Sequence, residues 1–281
     1  MLRKVCGKGK DKKLKLTWDA GQRDIIEKYK KAHLTQQETE RMHKEMTKQK
    51  CREEDPRTGF ANEAFIYGDA MTSSTGDIPK PFIGAISQKG DVIENRLFAV
   101  EIICGSLSFV IFVSVNQLIN GGANLIIEIQ RLSIQKLAAE LEKVGKKMPR
   151  MMTFQFDNCG ENKNKEMYAY ASLLVERGYL DCININFLIV GHTHDSLDQI
   201  FSVLSKKIKN SIILTIPALH ELYSKAHSNF HDRPLHVLQL EVVHDWCEFF
   251  KPFLNDRISR YSIPHRFKVI LFDSFFLQSL F

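Results

Sequence analysis

The sequence has little of what marks zinc-ribbon, disulfide-stapled, secreted or membrane-spanning chains. Its six cysteines (Cys6, Cys51, Cys104, Cys159, Cys182 and Cys247) are scattered, and none forms a Cys-x-x-Cys pair. That argues against a zinc ribbon and against a disulfide framework, and leaves reduced thiols in an intracellular protein as the expectation. The opening Met-Leu-Arg-Lys-Val-Cys-Gly-Lys lacks the apolar stretch of a signal peptide. Residues 97–115 are strongly apolar, but Glu101 interrupts them and Gly105-Ser106 reads as a turn. Two buried strands explain that run better than a membrane span. No internal repeat is visible.

Excess charge is also scarce over most of the chain. Lys and Arg number 39 against 33 Asp and Glu, a net of +6. Residues 1–60 hold 17 basic and 10 acidic residues, leaving 22 and 23 for the rest. All the positive excess therefore lies in an N-terminal arm. A basic arm on a near-neutral body suits a polyanionic partner, and a solvated helix explains it equally well. The 281 residues, 44% of them hydrophobic, suffice for one sizeable core with appendages or for two small domains.

The pattern along the chain predicts three regions: a basic, partly disordered helical arm over 1–59, an α/β core over 60–211, and an extension packed on that core over 212–281. Residues 19–55 read as one or two exposed helices. Short apolar runs at 64–71, 96–104 and 107–115 read as three consecutive strands. A helical pattern follows Gly121-Gly122, with Leu125, Ile129, Leu132, Leu137, Leu141 and Val144 near helical spacing, and Pro149 stops it. Strands at 151–157 and 183–190 alternate with helices at 164–177 and from 194 onward. Leu197, Ile200, Phe201, Leu204 and Ile208 share one face of the last helix. Beyond 211, helices are expected at 218–228 and 242–254 and a strand at 267–273. The chain ends in Phe275, Phe276, Leu277, Leu280 and Phe281, as a truncated or frame-shifted end would. The order β-β-β-α-β-α-β-α predicts a five-stranded mixed sheet, an antiparallel meander extended by parallel strands, with helices on both faces. It matches the ribonuclease H-like fold; a flavodoxin-like domain would have a helix after its first strand.

Three carboxylates fall where such a fold gathers them. Asp69 ends the first strand, in Ile-Tyr-Gly-Asp-Ala-Met. Asp157 ends the fourth, in Phe-Asp-Asn-Cys-Gly-Glu-Asn-Lys-Asn-Lys. Asp198 opens the last helix, in Gly-His-Thr-His-Asp-Ser-Leu-Asp-Gln-Ile-Phe. Carboxylates gathered at one edge repel one another unless a cation neutralises them, and oxygen ligands suit Mg²⁺ or Mn²⁺. Two such ions ~4 Å apart can activate a water or a DNA 3′-hydroxyl and stabilise the leaving oxygen of phosphodiester transfer. Asp195 is a substitute ligand three residues before Asp198. Each Asp taken singly reads more simply as a turn former or a helix-dipole partner. Asn158, Glu161, Asn162, His192 and His194 are expected in support. His192 and His194 also resemble the last motif of metallophosphoesterases, but the Asp-x-His and Gly-Asn-His-Asp/Glu that those enzymes need do not occur. The His-x-His-x-Asp-His of metallo-β-lactamases fails at Ser196. Lys163, Lys165, Lys206, Lys207 and Lys209 are candidate phosphate contacts, or simply solubilising lysines.

The blocks Asp-Asn-Cys-Gly-Glu-Asn-Lys-Asn-Lys (157–165) and Phe-Leu-Ile-Val-Gly-His-Thr-His-Asp-Ser-Leu-Asp-Gln-Ile-Phe-Ser (187–202) resemble an uncharacterised domain family of transposon-derived eukaryotic proteins, with a transposase- or integrase-type core. Gly-Gly-Ala-Asn at 121–124 and the basic helix with His33 and Arg41 are also similar. The resemblance spans roughly residues 25–270. It departs at Glu161, where the family commonly has Gln. It implies metal-dependent cleavage or strand transfer on DNA, in a nuclear and possible homo-oligomeric protein. The competing reading is a catalytically inactive, domesticated or degenerate remnant that binds nucleic acid or protein.

Overall fold

The computed structural model describes residues 20–71, 75–80, 92–157, 159, 162–188, 196–228, 232–254 and 265–271. The chain divides into two units, residues 1–46 and 47–281. Helix α1 (Ala20–Arg52) contains the described residues of the first unit. Its Gln, Glu, Lys and Arg are good helix formers. Exposed pairs such as Lys28–Asp24 at 2.8 Å add i,i+4 support.

The second unit is built on one mixed sheet. Strands β1 (Glu63–Ala70), β2 (Asn95–Cys104) and β3 (Leu107–Asn116) form an antiparallel meander. The β2–β3 hairpin turns at Gly105-Ser106. Gly105 has φ +60°, and a Cβ there would stand 2.2 Å from the Glu54 Oε1 atom, so the turn needs glycine. Helix α2 (Ala123–Lys143) then leads to β4 (Met151–Phe156), which lies parallel to β1. Helix α3 (Lys165–Glu176) leads to β5 (Cys182–Phe187), parallel to β4. Asn164 caps α3 by accepting a hydrogen bond from the Met167 N–H. The last part of the chain supplies α4 (Ser196–Lys209), α5 (Ile216–Ser228), β6 (Leu235–Leu240), α6 (Trp246–Phe250) and β7 (Arg266–Ile270).

The sheet has seven strands, in the order β6-β3-β2-β1-β4-β5-β7, where the sequence predicts five. The two additional strands come from the segment expected to be an extension. β6 adds parallel to β3 and β7 antiparallel to β5, so both cover edges that would otherwise expose unpaired backbone groups. The helix expected over 242–254 is only five residues long.

Alternation along β1 separates two cores. Ala64 and Ile66 face the side packed by α2, α3 and α6, whose Leu125, Ile129, Leu137, Leu141 and Met167 are buried there. Phe65 and Tyr67 face α4 and α5. On α4, Leu197, Ile200, Phe201, Leu204 and Ile208 are all buried in that second core, as their spacing predicts. Val144, read as the last inward position of the preceding helix, is instead exposed past its end. The apolar run at 97–115 folds as β2 and β3. No helix among the described residues is long and apolar enough to cross a membrane.

Candidate functional site

The parallel pairing of β1 with β4 fixes the site. The register runs from Glu63↔Met151 to Tyr67↔Gln155. Carried two positions further, it sets Asp69 against Asp157, at the carboxyl ends of two neighbouring parallel strands. Both are half-buried and line one cavity of about 70 Å³, closed on its far side by Ile126, Ile129 and Gln130 of α2. Carboxyl ends of adjacent parallel strands are a usual place for ligand crevices in α/β sheets. The Asp69 Oδ1 atom accepts a hydrogen bond from the Ala70 N–H at 2.8 Å, and Asp157 accepts one from the Asn162 side-chain amide. Asn162 is buried in the turn that follows β4, where its own N–H donates to the Cys159 carbonyl at 3.2 Å. The turn residue thus orients the carboxylate.

Asp198 lies in the first turn of α4, outside the cavity lining but within electrostatic reach. Tyr67 reports this. Its phenol is held far above the ordinary tyrosine value, first by burial and then by the negative charges of Asp69, Asp198, Glu101 and Asp157. All three carboxylates named from the sequence therefore act on one buried side chain. Among the described residues, however, no three His, Cys, Asp or Glu side chains come together as a metal-holding group. Asn158, Glu161, His192, His194 and Asp195 lie outside the described residues.

The lysines divide into two groups. Lys163 is buried, with its Nζ atom 5.0 Å from the Phe187 ring centroid, and burial lowers its pKa. Lys165 is half-buried at the start of α3. Lys206, Lys207 and Lys209 are exposed in the last turn of α4. At 1.5 Å per residue they stand roughly 12–16 Å along the helix from Asp198. They form a patch at the far end of α4, joined by Lys80, whose pKa is lowered first by burial and also by the charge of Lys209.

Glu101 is the most consequential residue that sequence reading passed over. It is 2% exposed on β2, opposite Tyr67. Lys48 reaches it at 2.9 Å, Arg233 pairs with its other oxygen, and Ser196 at the start of α4 donates to it at 3.1 Å. Burial opposes its ionisation, but the charges of Lys48 and Arg233 prevail and hold its pKa at about 2. Glu101 thereby ties the last residues of α1, which belong to the second unit, together with α4 and Arg233, to the sheet. The available signal was one acid inside an otherwise apolar strand. The residues flanking it carry no mark of its partners.

A profile of DUF7869, a domain of unknown function, matches residues 101–274. The chain belongs to the DUF7869 family. Glu101, Asp157 and Asp198 fall inside the span that defines the DUF7869 domain, and Asp69 precedes it. No curated protein and no solved structure matches the chain.

Proposed function

We propose that this DUF7869 protein is a ribonuclease H-like, transposase-derived domain that cleaves or transfers phosphodiester bonds of DNA with the help of Mg²⁺ or Mn²⁺. The observation that carries this reading is the placement of Asp69 and Asp157. They end adjacent parallel strands in one register and open on one cavity. The inner strand order β3-β2-β1-β4-β5, a meander followed by parallel additions, supports the fold assignment.

The donor set fits a hard cation. Two carboxylates, with water completing the shell, are a usual Mg²⁺ arrangement. Asp69 and Asp157 would hold the ion, with Asp198 in the first turn of α4 as the further acidic residue expected of the site. When bound, such an ion lowers the pKa of water and stabilises the charge that builds on the phosphate. The chain's own residues do the rest. Asn162 fixes the orientation of Asp157. The apolar walls of the cavity restrict bulk water. The Lys206, Lys207 and Lys209 patch gives the DNA backbone a salt-sensitive contact away from the reacting atoms. A nuclear location follows from a DNA substrate.

The test is Mn²⁺-dependent nicking of supercoiled and single-stranded DNA by the wild type, Asp69→Asn and Asp157→Asn. Nicking that both substitutions abolish supports the reading; nicking that survives both removes it. A second reading is a DNA- or protein-binding domain without catalysis. It is favoured by the lack, among the described residues, of a group of three metal-ligating side chains. DNA retention that weakens with salt, without any nicking, would select it.

A further inference from the structure

The two edges of the sheet are finished differently. On β7, Arg266, Lys268 and Ile270 are exposed while Phe267 and Val269 are buried. Charged side chains along an edge strand deter a further strand. β6 has no such guard. Its residues, Leu-His-Val-Leu-Gln-Leu, include no acid, lysine, arginine or proline, and all but Leu240 are half-buried. Among the described residues no strand lies beyond it. A neutral, apolar edge of this kind is a template for another chain.

The pairing with β3 settles which backbone groups of β6 are left over. Along a strand, alternate residues turn both N–H and C=O toward one neighbour. The Val110 N–H donates to the Pro234 carbonyl at 2.9 Å, and Val110 stands in register with Leu235. His236 and Leu238 therefore bond to β3. The N–H and C=O groups of Leu235, Val237 and Gln239 point away from the sheet, and no hydrogen bond reaches them among the described residues.

We propose that β6 is a dimerisation edge whose occupant is β6 of a second copy of this chain, antiparallel across a twofold axis at Val237. That register sets Val237 against Val237 and Leu235 against Gln239, so every outward residue falls in a hydrogen-bonded pair that exchanges two bonds. Charge favours the second copy. A strand that meets itself brings like against like near the axis, where a charge would repel its own copy. Residues 235–240 carry no such charge. Carried past the strand ends, the register sets Asp232 opposite Val242 and Arg233 opposite Glu241 of the second copy, so no like charges meet. The Arg233 guanidinium is held by Glu101, so its attraction for that Glu241 acts at a distance. The same operation on β7, about Phe267, would set Arg266 against Lys268. Only the β6 edge is compatible with its own copy.

The experiment is sedimentation equilibrium of the full chain over a rising concentration series, paired with residue-resolved amide hydrogen exchange. The wild type should dimerise reversibly. Val237→Pro deletes the outward N–H at the axis and no bond to β3. It should weaken association about tenfold or more while remaining folded. Val237→Lys sets like charges against each other at the axis and should weaken association about as much. Glu241→Arg, at an exposed position, should weaken it about threefold at low salt. Leu238→Pro deletes a donor to β3 and should lower the melting temperature instead. In the wild type, the amides of Leu235, Val237 and Gln239 should slow as the dimer forms, while those of His236 and Leu238 stay slow throughout. A chain that remains monomeric at every concentration overturns the proposal and leaves the edge to a strand of another protein. A dimer unchanged by both Val237 variants, or one in which the amides of Leu235, Val237 and Gln239 stay fast, forms through another surface and also overturns it. Should the Val237 variants fail to fold, exchange in the wild type decides between the same outcomes.

Discussion

At the start of β1, Glu63 is buried beside the start of β4. It accepts hydrogen bonds from the Thr153 hydroxyl and, at 3.4 Å, from the Asn184 side-chain amide, and Lys50 pairs with its other oxygen at 2.8 Å. At the other end of the same two strands, Asp69 and Asp157 stand half-exposed around a cavity. Both ends place carboxylates among apolar neighbours. At one end hydrogen bonds reach one oxygen of the acid and the Lys50 ammonium stands against the other. At the other the surroundings leave open space. A buried carboxylate held by hydrogen bonds and a cation reads as a fastening. Paired acids around an open space read as a place for a cation. Glu101 and Glu128 belong with Glu63. Glu128 accepts from Arg131 at 2.6 and 2.9 Å and from Trp246 at 3.0 Å, and lies 2.9 Å from the His244 Nδ1 atom.

The contrast can be broken by substitution. The largest effect should come from the open end. Asp157→Asn is expected to lower Mn²⁺-dependent nicking about a thousandfold or more while leaving the melting temperature unchanged or raised, since it relieves a like-charge pair. A large loss of stability would move Asp157 to the fastening class. Next comes Lys48→Met, which leaves Glu101 with only Arg233 as a charged partner. Breaking a buried pair this way should cost about 3 kcal/mol, read by chemical denaturation. A near-neutral result would show that Arg233 suffices.

Acid titration sharpens the same distinction. Glu101 ionises at about 2 in the folded protein, against an ordinary 4.5. Its folded value is depressed, so its stabilisation is fully present above the ordinary value and is lost as pH falls from there through about 2. Denaturation followed across that window should show a steep acid limb, and Glu101→Gln should flatten it. The smallest effect is expected of Glu63→Gln. It keeps the shape and most hydrogen bonds but weakens the Lys50 contact, at a cost of about 1 kcal/mol. Its Mn²⁺ affinity should equal that of the wild type; a change would mean that the two ends communicate.

Much of the sheet was legible because its inner strands are mostly buried. β3 is an apolar run, β2 is one interrupted at Glu101, and β5 alternates Ile183, Ile185 and Phe187 with Asn184 and Asn186, while the five apolar positions of α4 repeat at helical spacing without exception. β6 was not legible. Leu-His-Val-Leu-Gln-Leu is a half-buried edge strand that mixes polar residues into its run, and only its pairing with β3 defines it. The helix expected over 242–254 shrank because much of its apolar content is a cluster of stacked aromatics, Trp246, Phe249, Phe250 and Phe253, not a long amphipathic stripe. At the site, Asp69 and Asp157 could be named because strand ends show in sequence. Glu101 could not. It takes its meaning from Arg233, 132 positions along the chain. The Gly-Gly-Ala-Asn segment likewise gained a reason only in three dimensions. Asn124 accepts from the Cys247 N–H at 2.8 Å and donates to Asp245 at 3.1 Å, which fastens α6 against the start of α2.

The most direct measurement is anomalous diffraction from crystals soaked in Mn²⁺. A metal gathered by the ends of β1 and β4 gives a peak bounded by the carboxylates of Asp69 and Asp157, and that peak disappears in Asp157→Ala crystals. Manganese found only at other acidic positions, or a cavity that stays free of metal at saturating Mn²⁺, contradicts it.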